Sequence, residues 1–404
     1  MADLLGFTTI LLISLLTYIL SIRYPEISKI LFWALIVRII VLLIGHYITP
    51  LPDSTADAES FEGYAWDLAE NGFSNLLSNF LGPNPYFISW FIGIFYSLFG
   101  QSMLMAQSLS LIFGMGSLFL GWLLAKKLWN NRVANTVGWT IAFFPSLILY
   151  SVLIMREVYI CFFILLALYG VVSWVKTDKF FYIILVAVGF ISATFFHGAM
   201  IVGIIVFAII FGIICLLRLL KSLIKYRINL KIFTFLLLFL TISVYYMSNK
   251  IYVPYIGTFE KGTNIDVLLK KTSQSTAGEA SWPKWTIAKT PFELFYKAPI
   301  RSLYVVFAPF PWDVKKTKHL IGMFDSILYM YLTYLILINI KVIWRDPALR
   351  FILVILISYI FVFGIGVGNF GTGIRHRSKF VIIFLLLAAP MLKRLIFFKK
   401  TDKT

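Results

Sequence analysis

Acidic side chains are scarce in this sequence, with 18 Asp and Glu against 36 Lys and Arg in 404 residues, and there are only four His and two Cys. Cys161 and Cys215 both fall inside apolar runs, so no disulfide framework or metal–thiolate centre is expected. A P-loop, a dinucleotide glycine fingerprint, metal-ligand His/Cys spacing and a Ser/His/Asp order are all lacking, which argues against nucleotide-driven chemistry. Charged residues of either sign make up 13% of the chain, too few for a soluble protein of this length. The +18 excess sits in short connections between apolar runs rather than on one soluble face, so nucleic acid is not an expected partner.

What is present is apolar. Hydrophobic residues are 60% of the chain and the mean hydropathy is +0.89, so the lipid bilayer is the expected solvent and the fold class is an all-α polytopic transmembrane helix bundle. Apolar runs at 4–22, 30–48, 103–125, 134–153, 158–175, 180–196, 199–217, 232–248, 321–341, 351–368 and 379–396 predict about eleven spans, within one transmembrane domain over 1–404. The N-terminal run lacks a basic n-region and a small-residue cleavage site, and reads as a retained first helix rather than a signal peptide.

Basic residues of short loops mark the cytoplasmic side. Arg23 with Lys29, Lys126–Lys127–Arg132, Lys176 with Lys179, Arg218–Lys231, Lys341–Arg345–Arg350 and the tail Lys393–Lys400 fall on one side under this reading. Residues 49–102 and 249–320 then form two large external loops, with Arg156–Glu157 and 369–377 on their face. Parity makes 86–99 a juxtamembrane helix instead of a span. Loops this long usually carry function.

The first external loop gathers Asp53, Asp57, Glu59, Glu62, Asp67 and Glu70. Phe61, Tyr64, Ala65, Leu68 and Ala69 recur at helical spacing, predicting an amphipathic helix with carboxylates at its start. The bland reading is that these acids cap a helix and solvate a loop. The pattern Asp57-x-x-x-Phe61-x-x-x-Ala65, followed by Asn84-Pro85-Tyr86 and an apolar segment ending Leu-Phe-Gly, resembles the GT-C class of membrane glycosyltransferases, in particular the protein mannosyltransferase and lipid A aminoarabinose transferase families. Phe61 stands where that pattern usually has Tyr. The resemblance covers roughly residues 50–175 and includes the Pro-containing helix ending at Arg156–Glu157. It implies that Asp57 is a catalytic or metal-linked carboxylate, with Glu59 and Glu157 as further catalytic candidates. It also implies a polyprenyl-phosphate or polyprenyl-diphosphate sugar donor and leaves room for a divalent metal, Mg or Mn, held by Asp57.

Toward the C-terminus, YVVFAPFPWDV and GNFGTGIRHRSKF are similar to bacterial surface-polysaccharide repeat-unit polymerases. Arg375, His376, Arg377 and Lys379 form a cationic knot on the side where the charge rule expects none, and such charges are kept for a ligand or an internal pair. The Arg-x-Arg fork suits a lipid phosphate, with Arg156 and Arg301 as further phosphate-binding candidates, whereas pairing with the loop acids Asp57 or Glu157 is the structural alternative. His376 reads as a hydrogen-bonding neighbour. Arg38, in the middle of a span, costs about 3 kcal/mol on insertion scales and needs an internal partner. His197 is a turn histidine that could line a cavity. Trp282 and Trp285 suit either sugar stacking or an interfacial anchor.

The sequence therefore leads to an enzyme expectation: a polyprenyl-phosphate-sugar-dependent glycosyltransferase. It would lie in a bacterial cytoplasmic (inner) membrane with its site facing outward, add a sugar to a sugar or glycan acceptor, and serve polysaccharide or cell-envelope assembly. A flippase of lipid-linked sugars is the alternative, against which stand the lack of internal repeats and the acidic loop that translocation does not need.

Overall fold

The computed structural model describes residues 2–55, 57–224, 264–274, 280–314 and 317–392, with isolated positions at 237, 241, 244–245, 247–250, 257–258 and 260–261. Its helices are α1 (Ala2–Arg23), α2 (Ser28–Tyr47), α3 (Asp57–Ala69), α4 (Phe73–Ser78), α5 (Phe87–Phe99), α6 (Met103–Leu128), α7 (Asn131–Phe143), α8 (Pro145–Tyr150), α9 (Arg156–Thr177) and α10 (Phe181–Phe196). These are followed by α11 (Ile201–Ile224), α12 (Ile265–Gln274), α13 (Pro291–Phe307), α14 (Thr317–Ile338), α15 (Ile340–Arg345), α16 (Pro347–Gly366), α17 (Phe370–Ser378) and α18 (Val381–Ala388). The described residues form no extended strand, and an isolated antiparallel bridge joins Ser281 to Asn369.

Among the described residues, six helices are long and apolar enough to cross a membrane: Asp3–Arg23, Pro25–Tyr47, Met103–Leu128, Arg156–Thr177, Gly198–Ser222 and Pro347–Gly366. They mark the chain as an integral membrane protein. Phe87–Phe99, Phe181–Phe196, Gly322–Ile338 and Val381–Met391 are shorter apolar helices. The expected run 232–248 lies outside the described residues apart from isolated positions.

Two of the expected spans take a different form. Residues 134–153 divide into α7 and α8 because Pro145 has no N–H to give the carbonyl of Ile141 and its ring collides with the preceding turn. Of the expected span 379–396, residues 379–392 are described, and they hold the eight-residue α18, every residue of which is buried, followed by a 3-10 turn at Ala389–Met391. A helix buried all round is a core element rather than a lipid-facing one.

Local chemistry sets the other ends. Ser102 caps α6 by accepting from Met105 N at 3.2 Å, and Asn130 caps α7 through Val133 N at 3.0 Å. Asp346 accepts from Ala348 N and Leu349 N at 2.8 and 3.0 Å, with Pro347 at the first helical position of α16, where a missing N–H costs nothing.

The chain divides into two compact units: Met1–Ser192 with Ile327–Leu353 and Ser378–Thr404, and Ala193–Ser326 with Val354–Arg377. In the first unit α6 is the central element, packed by α1, α7 and α9. The connections bearing cations gather at one end of it. Lys126 Nζ reaches Glu26 Oε1 at 3.0 Å, Lys127 Nζ donates to Ser173 Oγ at 2.6 Å, and Lys176 donates to the Lys127 carbonyl. Arg156 opens α9 and Lys176 nearly closes it, so these groups stand about 30 Å apart along the helix axis.

Candidate functional site

The acidic segment opens with a tight turn. Ser54 N donates to Leu51 O at 3.1 Å, Pro52 occupies the second position, and Asp53 takes a left-handed φ of 61°, a geometry that Asp tolerates better than most side chains. Tyr150 Oη donates to Asp53 Oδ2 at 2.8 Å, which ties this turn to the end of α8.

Helix α3 then buries Ala58, Phe61, Ala65, Leu68 and Ala69, a stripe of period 3.6 laid on α5. Ser89 Oγ donates to Phe61 O at 2.8 Å and Trp90 Nε1 to Leu76 O at 3.0 Å. At Gly93 a Cβ would stand 2.9 Å from Leu76 Cδ1 and 3.3 Å from Ala65 O, so the close approach of α3 and α5 depends on glycine. The first loop is thus a packed helical hairpin.

Asp57 and Glu59 lie exposed on the first turn of α3. Glu62 is engaged structurally, accepting from Tyr96 Oη at 2.9 Å and Gln101 Nε2 at 3.0 Å. Burial and the adjacent Glu62 carboxylate push the Tyr96 hydroxyl far above its ordinary range, so it stays a donor.

Arg156 joins this hairpin. Its guanidinium lies 5.3 Å over the Phe61 ring and donates to Pro85 O at 3.3 Å. Tyr86 packs edge-on against Phe61 at 5.7 Å and Tyr64 at 5.1 Å. Asp57 precedes Phe61 by one helical turn and shares its side of α3. The Asp-x-x-x-Phe pattern, the Asn-Pro-Tyr turn and the arginine at the head of α9 therefore meet in one unit. Glu157 parts company with Arg156. It is 1% exposed and faces Lys379 Nζ at 3.6 Å in the interior of the same unit, away from the exposed acids.

In the second unit two of the expected phosphate-binding arginines, Arg377 and Arg301, are structural anchors. Arg377 is 1% exposed. Its Nε donates to Asp325 Oδ2 at 2.8 Å, its NH1 to Val306 O and Ala308 O at 2.9 and 2.7 Å, and its NH2 to Gly322 O and Ser326 Oγ at 3.2 and 3.1 Å. Five N–H donors are thereby spent, and no fork is left to offer a head group. The acid that pairs with this cation is Asp325, 2.7 Å from its NH2.

Arg301, at 0% exposure, donates to the carbonyls of Thr286, Gly364, Ile365 and Val367. It gathers the orphan carbonyls at the C-terminal end of α16, where a cation is favoured. Burial pushes its guanidinium down to about 10, so it remains charged at neutral pH. Its guanidinium lies 5.0 Å over Trp282, whose own N donates to Gly368 O at 2.8 Å.

Phe370 N donates to Ala280 O at 2.9 Å, so the segments around Ser281-Trp282-Pro283 and Gly368-Asn369-Phe370 are zipped together. Trp282 is buried at 2% and unsuited to sugar stacking, whereas Trp285 is 54% exposed. Arg375 is half-buried in α17. His376 packs on Phe363 at 4.6 Å and on His197 at 5.3 Å, and His197 Nδ1 accepts from Ala199 N at 3.3 Å.

Asp325 and Lys379 are the polar residues whose roles the sequence reading missed. A lone acid inside the predicted span 321–341 was the available signal, because a buried carboxylate requires a partner. Among the described residues no group of three or more His, Cys, Asp or Glu side chains could hold a metal ion. Asp57 and Glu59 alone do not make a divalent-cation cage of the usual ligand number. No family model, curated protein or solved structure matches the chain.

Proposed function

We propose that the protein is a membrane glycosyltransferase of GT-C type, using a polyprenyl-(di)phosphate-linked sugar donor on the external face of a bacterial inner membrane. The surface polysaccharide or glycoconjugate assembled there, including joining of repeat units, is its field of action. One observation carries this reading: exposed Asp57 stands one turn from Phe61, over which Arg156 lies while bonded to the Asn-Pro-Tyr turn. A carboxylate and a cation on a hydrophobic hairpin are the two groups that such a transfer needs.

In the reaction the acceptor hydroxyl oxygen bonds to the anomeric carbon as the bond from that carbon to the lipid phosphate oxygen breaks. The hydroxyl proton passes to the Asp57 carboxylate and the phosphate leaves with the electron pair. Arg156, with the amide groups at the head of α9, neutralises the charge that develops on the departing phosphate. Glu59 adds to the negative potential beside the base. Arg301 and Arg377 are left to the structural contacts above, His376 to packing, and Glu157 to its ion pair.

Replacing Asp57 by Asn keeps the shape of the side chain and removes the proton acceptor. Sugar transfer from a polyprenyl-linked donor by purified Asp57→Asn should fall by about 10²-fold or more, with an unchanged melting temperature. Undiminished turnover would remove the base role. Arg156→Ala should weaken donor use while leaving the fold intact, because its cation–π contact and single carbonyl bond contribute only about 1 kcal/mol each.

A further inference from the structure

Where Pro145 divides α7 from α8, the first unit encloses a small polar cavity. Arg38, Ser117, Ser146, Tyr150, Glu157 and Ser378 line it together with Cys161 and apolar residues. The space left for the centre of a water-sized sphere is about 10 Å³, close to the room that a single water occupies.

Arg38 Nε and Ser146 Oγ are buried without a hydrogen-bond partner. Arg38 is 1% exposed and Ser146 8%. Three of the other four N–H donors of Arg38 are committed. NH1 donates to Ala34 O and Ala142 O at 3.2 and 2.9 Å, and NH2 to Ile141 O at 3.2 Å. The guanidinium thus replaces the amide that Pro145 cannot supply, while its Nε–H has no partner within the protein. An unmet donor on a buried charge is rare in folded proteins unless solvent satisfies it.

We propose that this cavity is a resident-water site. One water accepts from Arg38 Nε–H, exchanges a hydrogen bond with Ser146 Oγ, and stands beside the Glu157 carboxylate, which lines the space with Tyr150, Ser117 and Ser378. Water meets these three demands together because it both donates and accepts. An anion of the same size accepts from Arg38 but meets the Glu157 carboxylate as a like charge. The water joins α2, α8 and α9 across the broken helix, completing the polar shell of a cation held in the membrane interior. This inference does not depend on the glycosyltransferase reading.

The test is a density map of the full chain in lipid, at a resolution where ordered waters are visible, recorded in chloride and again with bromide in its place. The expected result is one peak within hydrogen-bonding distance of Arg38 Nε and Ser146 Oγ, identical in both salts. An empty cavity, or a peak that strengthens in bromide, would overturn the proposal, the second outcome identifying an anion site. In Ser146→Val, whose branched methyl groups occupy the space and remove the hydroxyl, the peak should vanish and the melting temperature fall. A peak that persists there would equally count against the site. Should that variant not fold, the two wild-type maps decide alone.

Discussion

At the scale of single residues, the chain separates arginines whose donors hold the fold, Arg301 and Arg377, from Arg156, which lies over Phe61 with a single carbonyl bond to Pro85. Arg377 is bound on all sides, with Asp325 and the carbonyls of Val306, Ala308 and Gly322 around it. Removing one partner of a buried pair leaves the other charge uncompensated, at a cost of about 3–5 kcal/mol. Asp325→Ala is therefore expected to lower the melting temperature sharply in detergent or nanodiscs, and Arg377→Lys should do the same although charge is kept. A lysine ammonium has three donors and no planar fork to span Asp325 and three carbonyls. Arg377→Lys with native thermal stability but impaired binding of polyprenyl phosphate would reverse this assignment. The misplaced charge was visible in the sequence; its partner was not, because nothing in one-dimensional spacing distinguishes an arginine answered by Asp325 from one awaiting a phosphate.

Among the elements, the clearest link from pattern to structure is α3. Its apolar stripe and acidic first turn followed from residue types and period alone, because the helix is amphipathic and half exposed. The pairing of α9 with α10 shows the opposite case. A Cβ on Gly189 would lie 2.5 Å from Ala167 N and 2.6 Å from Phe163 O, and one on Gly170 would lie 2.8 Å from Tyr182 O. Both close contacts are to backbone, which cannot rotate away, so Gly189→Ala should separate the helices and destabilise the protein by about 1–3 kcal/mol. Thermal unfolding of Gly189→Ala in the same detergent checks this, and an unchanged midpoint would mean that the two helices are not so closely set. Two apolar runs at this spacing gave no hint of the contact, since small residues are also common in lipid-facing positions. The division of 134–153 at Pro145 was open to inference, but Arg38 as the donor that replaces the lost amide was not, because the two lie on separate apolar runs.

For the whole molecule, composition settled the solvent and the helical class, whereas the count of spans depended on packing. Val381–Ala388 is as apolar as any lipid-facing run, yet protein surrounds it completely. Charge asymmetry supplies the expected sidedness of the first unit, and it can be read directly. With Cys161 and Cys215 both buried, a cysteine placed at Asn75 should react with a membrane-impermeant maleimide in intact cells, and one placed at Lys179 should react only after permeabilisation. Labelling in the reverse order would invert the orientation and take the acidic hairpin away from external lipid-linked donors. The central claim is chemical. Its most direct measurement is the transfer of radiolabelled sugar from a panel of polyprenyl-phosphate and polyprenyl-diphosphate donors, comparing the purified wild-type protein with Asp57→Asn in the same lipid. The account predicts transfer by the wild type and a loss of about 10²-fold or more in the variant at equal thermal stability. Equal transfer by both proteins would contradict it.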